Sequence, residues 1–275
     1  MKTIYLIEIK RACTTLGMKL ALFLGCGLAV WHIVGVIVPL HEFLITVPQT
    51  YLDDPLYIPE GLYNNWMGNV LFPVQSYIFY LILPLLAVLP FGASFYEDKK
   101  SGYFIHVCTR VEKAIYYRAK YIAVFLSGGL AIAIPLILNL LLTSLFLPAL
   151  RPDNGCNTTI TCNTMAFELF YTHPLLYALL FLFIDFIFAG VIATFSLSYT
   201  YFTEHKFGVL VAPFVLYFFL YSLMNLLDMS EFSPFFILNG GAGNNHTITY
   251  IVIFLLFFCL SYFIYIGKGN KEDVK

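Results

Sequence analysis

Six stretches of the chain are almost wholly apolar, at about 18–40, 74–94, 121–147, 173–202, 207–226 and 247–267. Their apolar residues run solidly instead of alternating every second position, which predicts helices and not the strands of a barrel. A helix needs roughly 20 apolar residues to cross a hydrocarbon layer about 30 Å thick, and each stretch meets that length. Ahead of the first lies "KTIYLIEIKRACTTLG", residues 2–17, too charged to cross. On a helix Tyr5, Ile9, Ala12 and Leu16 share one face, while Glu8, Arg11 and Thr15 share another. That predicts an amphipathic helix on the inner leaflet, its cations meeting anionic headgroups. The plainer alternative is a flanking positive-inside signal. The expected fold class is an all-α integral membrane protein: one domain over 1–275, with an N-terminal amphipathic interface helix at 1–17 and six transmembrane helices. A cleavable signal sequence is not expected, because the first apolar run is full length and lacks a small-residue cleavage site.

Composition strengthens this picture. Hydrophobic residues make up 60% of the 275 positions and charged residues 11%, against about 25% charged in soluble domains. Charge is segregated by side. Lys2, Lys10, Arg11 and Lys19 precede the first apolar stretch; Lys99, Lys100, Arg110, Lys113, Arg118 and Lys120 fall in 95–120; Lys206 sits in "TEHK"; Lys268, Lys271 and Lys275 follow the last stretch. Of the fifteen Lys and Arg residues only Arg151 falls on the other side, so the positive-inside rule predicts that both termini are cytoplasmic. Glu42, Asp53, Asp54, Glu60, Asp153, Glu168, Asp228 and Glu231 then lie in outer loops. The net charge of -1 gives no reason to expect nucleic acid as a partner.

One passage is unusual. "SFYEDKKSGYFIHVCTRVEKAIYYRAK", residues 94–120, holds six of the fifteen basic residues and mixes them with Phe104, Ile105, Val107 and Val111. Within it Asp98, Gly102, Arg110, Tyr117 and Lys120 are spaced D-x3-G-x7-R-x6-Y-x2-K. Gly102 can break the chain between a helix end and a new short helix, after which "YFIHVCTRVEKAIYYRAK" can leave the membrane, turn and feed the third span. A solvated loop that only holds the topology is the bland alternative. Here the chain resembles the membrane subunits of type-2 ABC transporters, the ABC-2 permease family. The layout agrees over nearly its whole length: an interface helix, six spans, a main cytoplasmic loop after the second, and a broken outer segment with Ser233, Pro234 and Phe235 between the last two.

That resemblance implies a bacterial plasma-membrane exporter, a homodimer or pseudo-dimer of six-helix units on two copies of a separate ABC ATP-binding subunit. The coupling contacts would come from Asp98, Gly102, Phe104, Ile105 and Arg110, with a smaller one from Glu204, His205 and Lys206. Residues 227–246 would correspond to the outer gate. The substrates implied are amphipathic peptides, as in the exporters of phenol-soluble modulins and of antimicrobial peptides. No G-x4-G-K-[ST] occurs in the chain, so ATP and Mg are expected on the partner and no cofactor on this subunit. H-E-x-x-H and G-x-S-x-G are also absent, and an enzyme is not expected.

The rival reading is a secondary carrier or channel. Asp185 lies in the middle of the fourth apolar stretch, where a charge is costly. It could relay a proton, bind a cationic substrate group, pair across a dimer, or simply hold two helices together. His32 in the first stretch is the second buried candidate, and a meeting of the two would favour proton coupling. Cys156 and Cys162 share an outer loop and could form a local disulfide; no metal site is expected from two such ligands. Gly25, Gly27, Gly128 and Gly129 permit close helix approach and would suit a dimer seam, though span interiors use small residues anyway.

Overall fold

The computed structural model describes residues 2–47, 60–153, 160, 162–241 and 247–271, and all regular structure among them is helical. Helix α1 (Lys2–Thr14) stops at Thr15, whose hydroxyl oxygen accepts the Met18 N–H at 3.1 Å and caps α2 (Leu16–His32). A π-helical segment, Ile33–Ile37, joins α2 to α3 (Val38–Thr46) in one apolar rod. The short α4 (Leu62–Asn65) precedes α5 (Val74–Val88), α6 (Ser94–Lys100), α7 (Tyr103–Cys108) and the long α8 (Lys113–Phe146). Beyond them come α9 (Phe167–Thr172), α10 (Pro174–Tyr199), α11 (Lys206–Leu226), a 3-10 turn at Ser230–Phe232, α12 (Pro234–Leu238) and α13 (Thr247–Lys271).

Five helices are long and apolar enough to cross a membrane: Leu16–Thr46, Lys113–Phe146, Pro174–Tyr199, Lys206–Leu226 and Thr247–Gly269. The stretch 74–94, expected as one continuous span, divides instead into the 15-residue α5 and a turn over 89–93. Pro90 lacks the N–H that would carry the helical ladder onward. The passage 95–120 is largely helical too, since α7 and the first two turns of α8 lie within it.

The centre of the molecule is the pair α8 and α10, whose backbones approach closely because small residues face each other. A methyl group added at Gly128 would lie 2.5 Å from the Ala193 Cβ, and one at Gly190 would lie 2.7 Å from the Phe125 ring. Around this pair, α8 also packs against α1, α2 and α5, while α10 packs against α5, α11 and α13. α5 buries Phe79, Tyr80, Leu83, Leu86, Ala87 and Val88, apolar nearly all round as befits an enclosed helix. α11 is peripheral and buries only the stripe Val209, Pro213 and Tyr217.

Two expectations change at this level. Gly128 and Gly129 are used inside the chain against Ala193 and Phe186, and Gly25 against Pro135; only Gly27 among the four has open space beside it. They build the fold of one subunit, and a seam between subunits has little claim on them. The buried face of α1 also cuts across the two faces expected for it. Ile4, Glu8 and Ala12 are buried, Arg11 is half-buried, and Leu6, Ile7 and Lys10 are exposed. Glu8 and Arg11 turn inward because partners of opposite charge wait there.

Candidate functional site

Those partners are Asp98 at the middle of α6 and Lys120 on α8. Arg11 reaches Glu8 Oε1 at 2.7 Å through Nη1 and Asp98 Oδ1 at 2.8 Å through Nη2. Lys120 Nζ reaches Glu8 Oε2 at 2.6 Å and Asp98 Oδ2 at 2.5 Å. Two anions and two cations thus alternate around a closed ring of zero net charge. Tyr116 donates to Asp98 Oδ2 at 2.6 Å and Tyr103 to Glu8 Oε1 at 3.4 Å. The Arg11 guanidinium lies 4.3 Å from the Tyr103 ring centre, and Lys120 Nζ lies 4.5 Å from that of Phe91, so aromatic faces replace water over both cations. The side chains of Glu8 and Lys120 are wholly buried.

Burial alone would push the Asp98 carboxyl up, but the charge of Lys120 and hydrogen bonds from Arg11, Lys120 and Tyr116 bring it below the usual carboxylate range. Burial likewise pulls on the Arg11 guanidinium, and Asp98 and Glu8 more than offset that, leaving it raised. Asp98 and Arg11 are therefore charged. The ring ties α1, α6 and α8 into one block, with α7 attached through Tyr103.

On this block sits an exposed surface. Gly102 takes a left-handed φ of 76° between α6 and α7, which only glycine adopts cheaply. α7 folds back so that Phe104 is buried on Phe95, Tyr116 and Tyr117, leaving Ile105 and Arg110 exposed. The turn Thr203–Lys206, a hundred residues further on, lies beside α6: Tyr96 donates to the Glu204 carbonyl at 2.5 Å and Lys206 pairs with Glu97. Tyr96, Glu97, Lys100, Glu204, His205 and Lys206 line a cleft of about 540 Å³ between them. The two segments singled out in the sequence thus form one charged face, although Asp98 and Phe104 lie beneath it and not on it.

The intramembrane candidates do not pair with each other. His32 Nδ1 contacts Asn139 Nδ2 at 3.2 Å. Asn139 also donates to the Ala29 carbonyl and accepts the Met67 N–H. Asp185, wholly buried in α10, accepts from the Tyr80 hydroxyl of α5 at 3.1 Å, and its Oδ1 has no partner among the described residues. At the opposite end from the charged face, Ser233 and Pro234 begin α12, and Phe235 packs against Tyr77 and Tyr221. Asn239 and Gly240 bond the carbonyls of Met67 and Gly68, so this segment closes over the loop that buries Trp66. The pairing of Cys156 with Cys162 falls outside the described residues. No group of three or more His, Cys, Asp and Glu side chains gathers among the described residues.

Sequence reasoning named Asp98 and Lys120 as motif residues but missed their meeting with Glu8 and Arg11. The signal was present as acids at 8 and 98 beside apolar runs, where an unpaired charge is costly. Compared with protein families, with curated proteins and with solved structures, the chain finds no match in any of the three.

Proposed function

We propose that this chain is the permease subunit of an ATP-driven exporter of the ABC-2 kind, a bacterial plasma-membrane protein working as a homodimer with two copies of a separate ATPase. It crosses the membrane six times, α5 with its following turn being the sixth crossing, and the Lys/Arg distribution puts both termini in the cytoplasm. α1 lies along the inner leaflet. The observation that carries the reading is the union of α6, α7 and the turn 203–206 in one exposed face, rooted through the buried ion ring in α1 and α8. A loop that merely held the topology would need neither the left-handed Gly102 nor a fully satisfied buried charge cluster. A partner that closes on ATP binding would push on Ile105, Arg110 and the 203–206 turn, and the ring would pass that movement to α8. α12 with Ser233, Pro234 and Phe235 forms the outer gate. Amphipathic peptides are the substrate class, on resemblance alone.

The carrier reading keeps one favourable observation, the buried Asp185, and loses the meeting of the two, since Asp185 bonds Tyr80 and His32 Nδ1 contacts Asn139. The deciding experiment purifies the tagged protein from its native membrane in mild detergent. A stoichiometric P-loop ATPase is expected with wild type and with Asp185→Asn, and is expected to be lost from Arg110→Glu combined with Ile105→Asp. Absence of any ATPase from intact wild type overturns the proposal.

A further inference from the structure

We infer that Asp185 is the seat of a bound proton within the membrane domain, its carboxyl held by the Tyr80 hydroxyl of α5. The Asp185 side chain is wholly buried in the middle of α10, and the Tyr80 hydroxyl donates to Oδ2 while Oδ1 has no partner. Tyr80, Tyr217 and Tyr250 are the titratable groups that face this centre from α5, α11 and α13. The charged groups on the helices around it are confined to helix ends: Lys113, Arg118 and Lys120 on α8, Lys206 on α11, Lys268 and Lys271 on α13, Glu168 on α9. His173, at the start of α10, is twelve residues away, about 18 Å along the helix. An ionised carboxylate with one hydroxyl donor and no cation is among the most costly groups to bury. A proton removes that cost and needs no space.

Larger ligands fit the site poorly. A metal cation seeks several oxygen ligands, and Asp185 and the Tyr80 hydroxyl are a sparse set. None of the cavities at the charged face, beside Arg11 and Leu16, or in the apolar groove between α10 and α13 is lined by Asp185.

The tyrosines are positioned by a proline. Pro84 has no N–H to offer the Tyr80 carbonyl one turn earlier, and the Tyr217 hydroxyl donates to that carbonyl instead at 3.0 Å. One turn along both helices, the Tyr77 and Tyr221 hydroxyls meet at 3.0 Å, exposed on the molecule. The hydroxyl that reaches Asp185 is that of Tyr80, while Tyr217 bonds the Tyr80 carbonyl and Tyr77 and Tyr221 bond each other. Separating α5 from α10 would strip Oδ2 of its donor and admit water, so proton occupancy and helix arrangement are linked.

The inference goes beyond the exporter reading and stands apart from ATPase binding. The test is infrared spectroscopy of wild type, Asp185→Asn and Tyr80→Phe in lipid vesicles between pH 5 and 9. A protonated-carboxyl band at pH 7 that is absent from Asp185→Asn and shifted in Tyr80→Phe is the expected result. Asn preserves shape and neutrality, and should it fail to fold, the shift in Tyr80→Phe carries the test alone. Carboxylate bands only at pH 7, or no change on substituting Tyr80, overturn the proton site.

Discussion

Replacing Lys120 by Met would remove one cation from the buried ring and leave its volume nearly filled. Lys120 Nζ lies 2.6 Å from Glu8 Oε2 and 2.5 Å from Asp98 Oδ2, closer to the latter than Arg11 Nη1 at 3.4 Å, and its side chain is wholly buried. In its absence two carboxylates would share Arg11, whose side chain is 36% exposed and so partly committed to water. Breaking a buried pair by deleting one partner costs about 3–5 kcal/mol, because a charge stays behind uncompensated. Exposed pairs are worth about 0–1 kcal/mol. At about 2–4 °C per kcal/mol for a chain of this general size, the expected fall in melting temperature is on the order of 10 °C. The assay is thermal unfolding of the purified protein in a fixed detergent, followed by tyrosine and tryptophan fluorescence. Adding Glu8→Gln to Lys120→Met restores charge balance around Arg11 and Asp98, and about 2 kcal/mol should return, within the range of coupling between neighbours. A fall of only 2–3 °C for the single variant would refute the reasoning, as would a double variant no better than the single.

Three further outcomes are expected. Gly102→Ala meets no atom within 4 Å of its new Cβ, so its cost is the left-handed backbone alone, about 1–2 kcal/mol by thermal unfolding, and Gly102→Asn should cost less. Gly17→Ala would place its Cβ 2.0 Å from the Leu89 carbonyl oxygen and should lower the melting temperature far more than Gly27→Ala, which has open space and gains helix propensity. Because the folded Asp98 carboxyl lies below its ordinary value, its contribution is complete above about pH 4 and drains away only as pH falls through the lowered value. Hydrogen exchange of residues 2–14, corrected for intrinsic rate, should therefore stay protected down to pH 4 in wild type and be unprotected already at pH 7 in Asp98→Asn.

The long helices were legible because length and apolarity are local properties, written within each run. What the chain does at 89–93 was less so, since Leu89, Phe91 and Ala93 are as apolar as the helix before them and only Pro90 and Gly92 mark the turn. For α1, periodicity marked an amphipathic helix but not the face that meets protein, which takes Glu8 from one expected face and Ala12 from the other; that depended on Asp98 and Lys120, 87 to 112 residues away. Asp185 stood out as a lone acid in an apolar run. Its partner did not, because Tyr80 is one of 20 tyrosines and nothing local marks it. The glycines announced close packing, and whether within or between subunits was decided by Ala193, Phe186 and Pro135.

α5 has consequences for how the protein is made. Its 15 residues extend about 22 Å, short of a hydrocarbon layer of about 30 Å. A segment this short, followed by non-helical backbone, is tolerated at membrane depth only when other helices enclose it. Those neighbours are α2, α8, α10 and α11, and three of the four emerge from the ribosome after it. On the six-crossing reading proposed above, insertion would not be a simple series of independent crossings. The second apolar segment to be synthesised is then enclosed by all four neighbours only once residue 226 has been added.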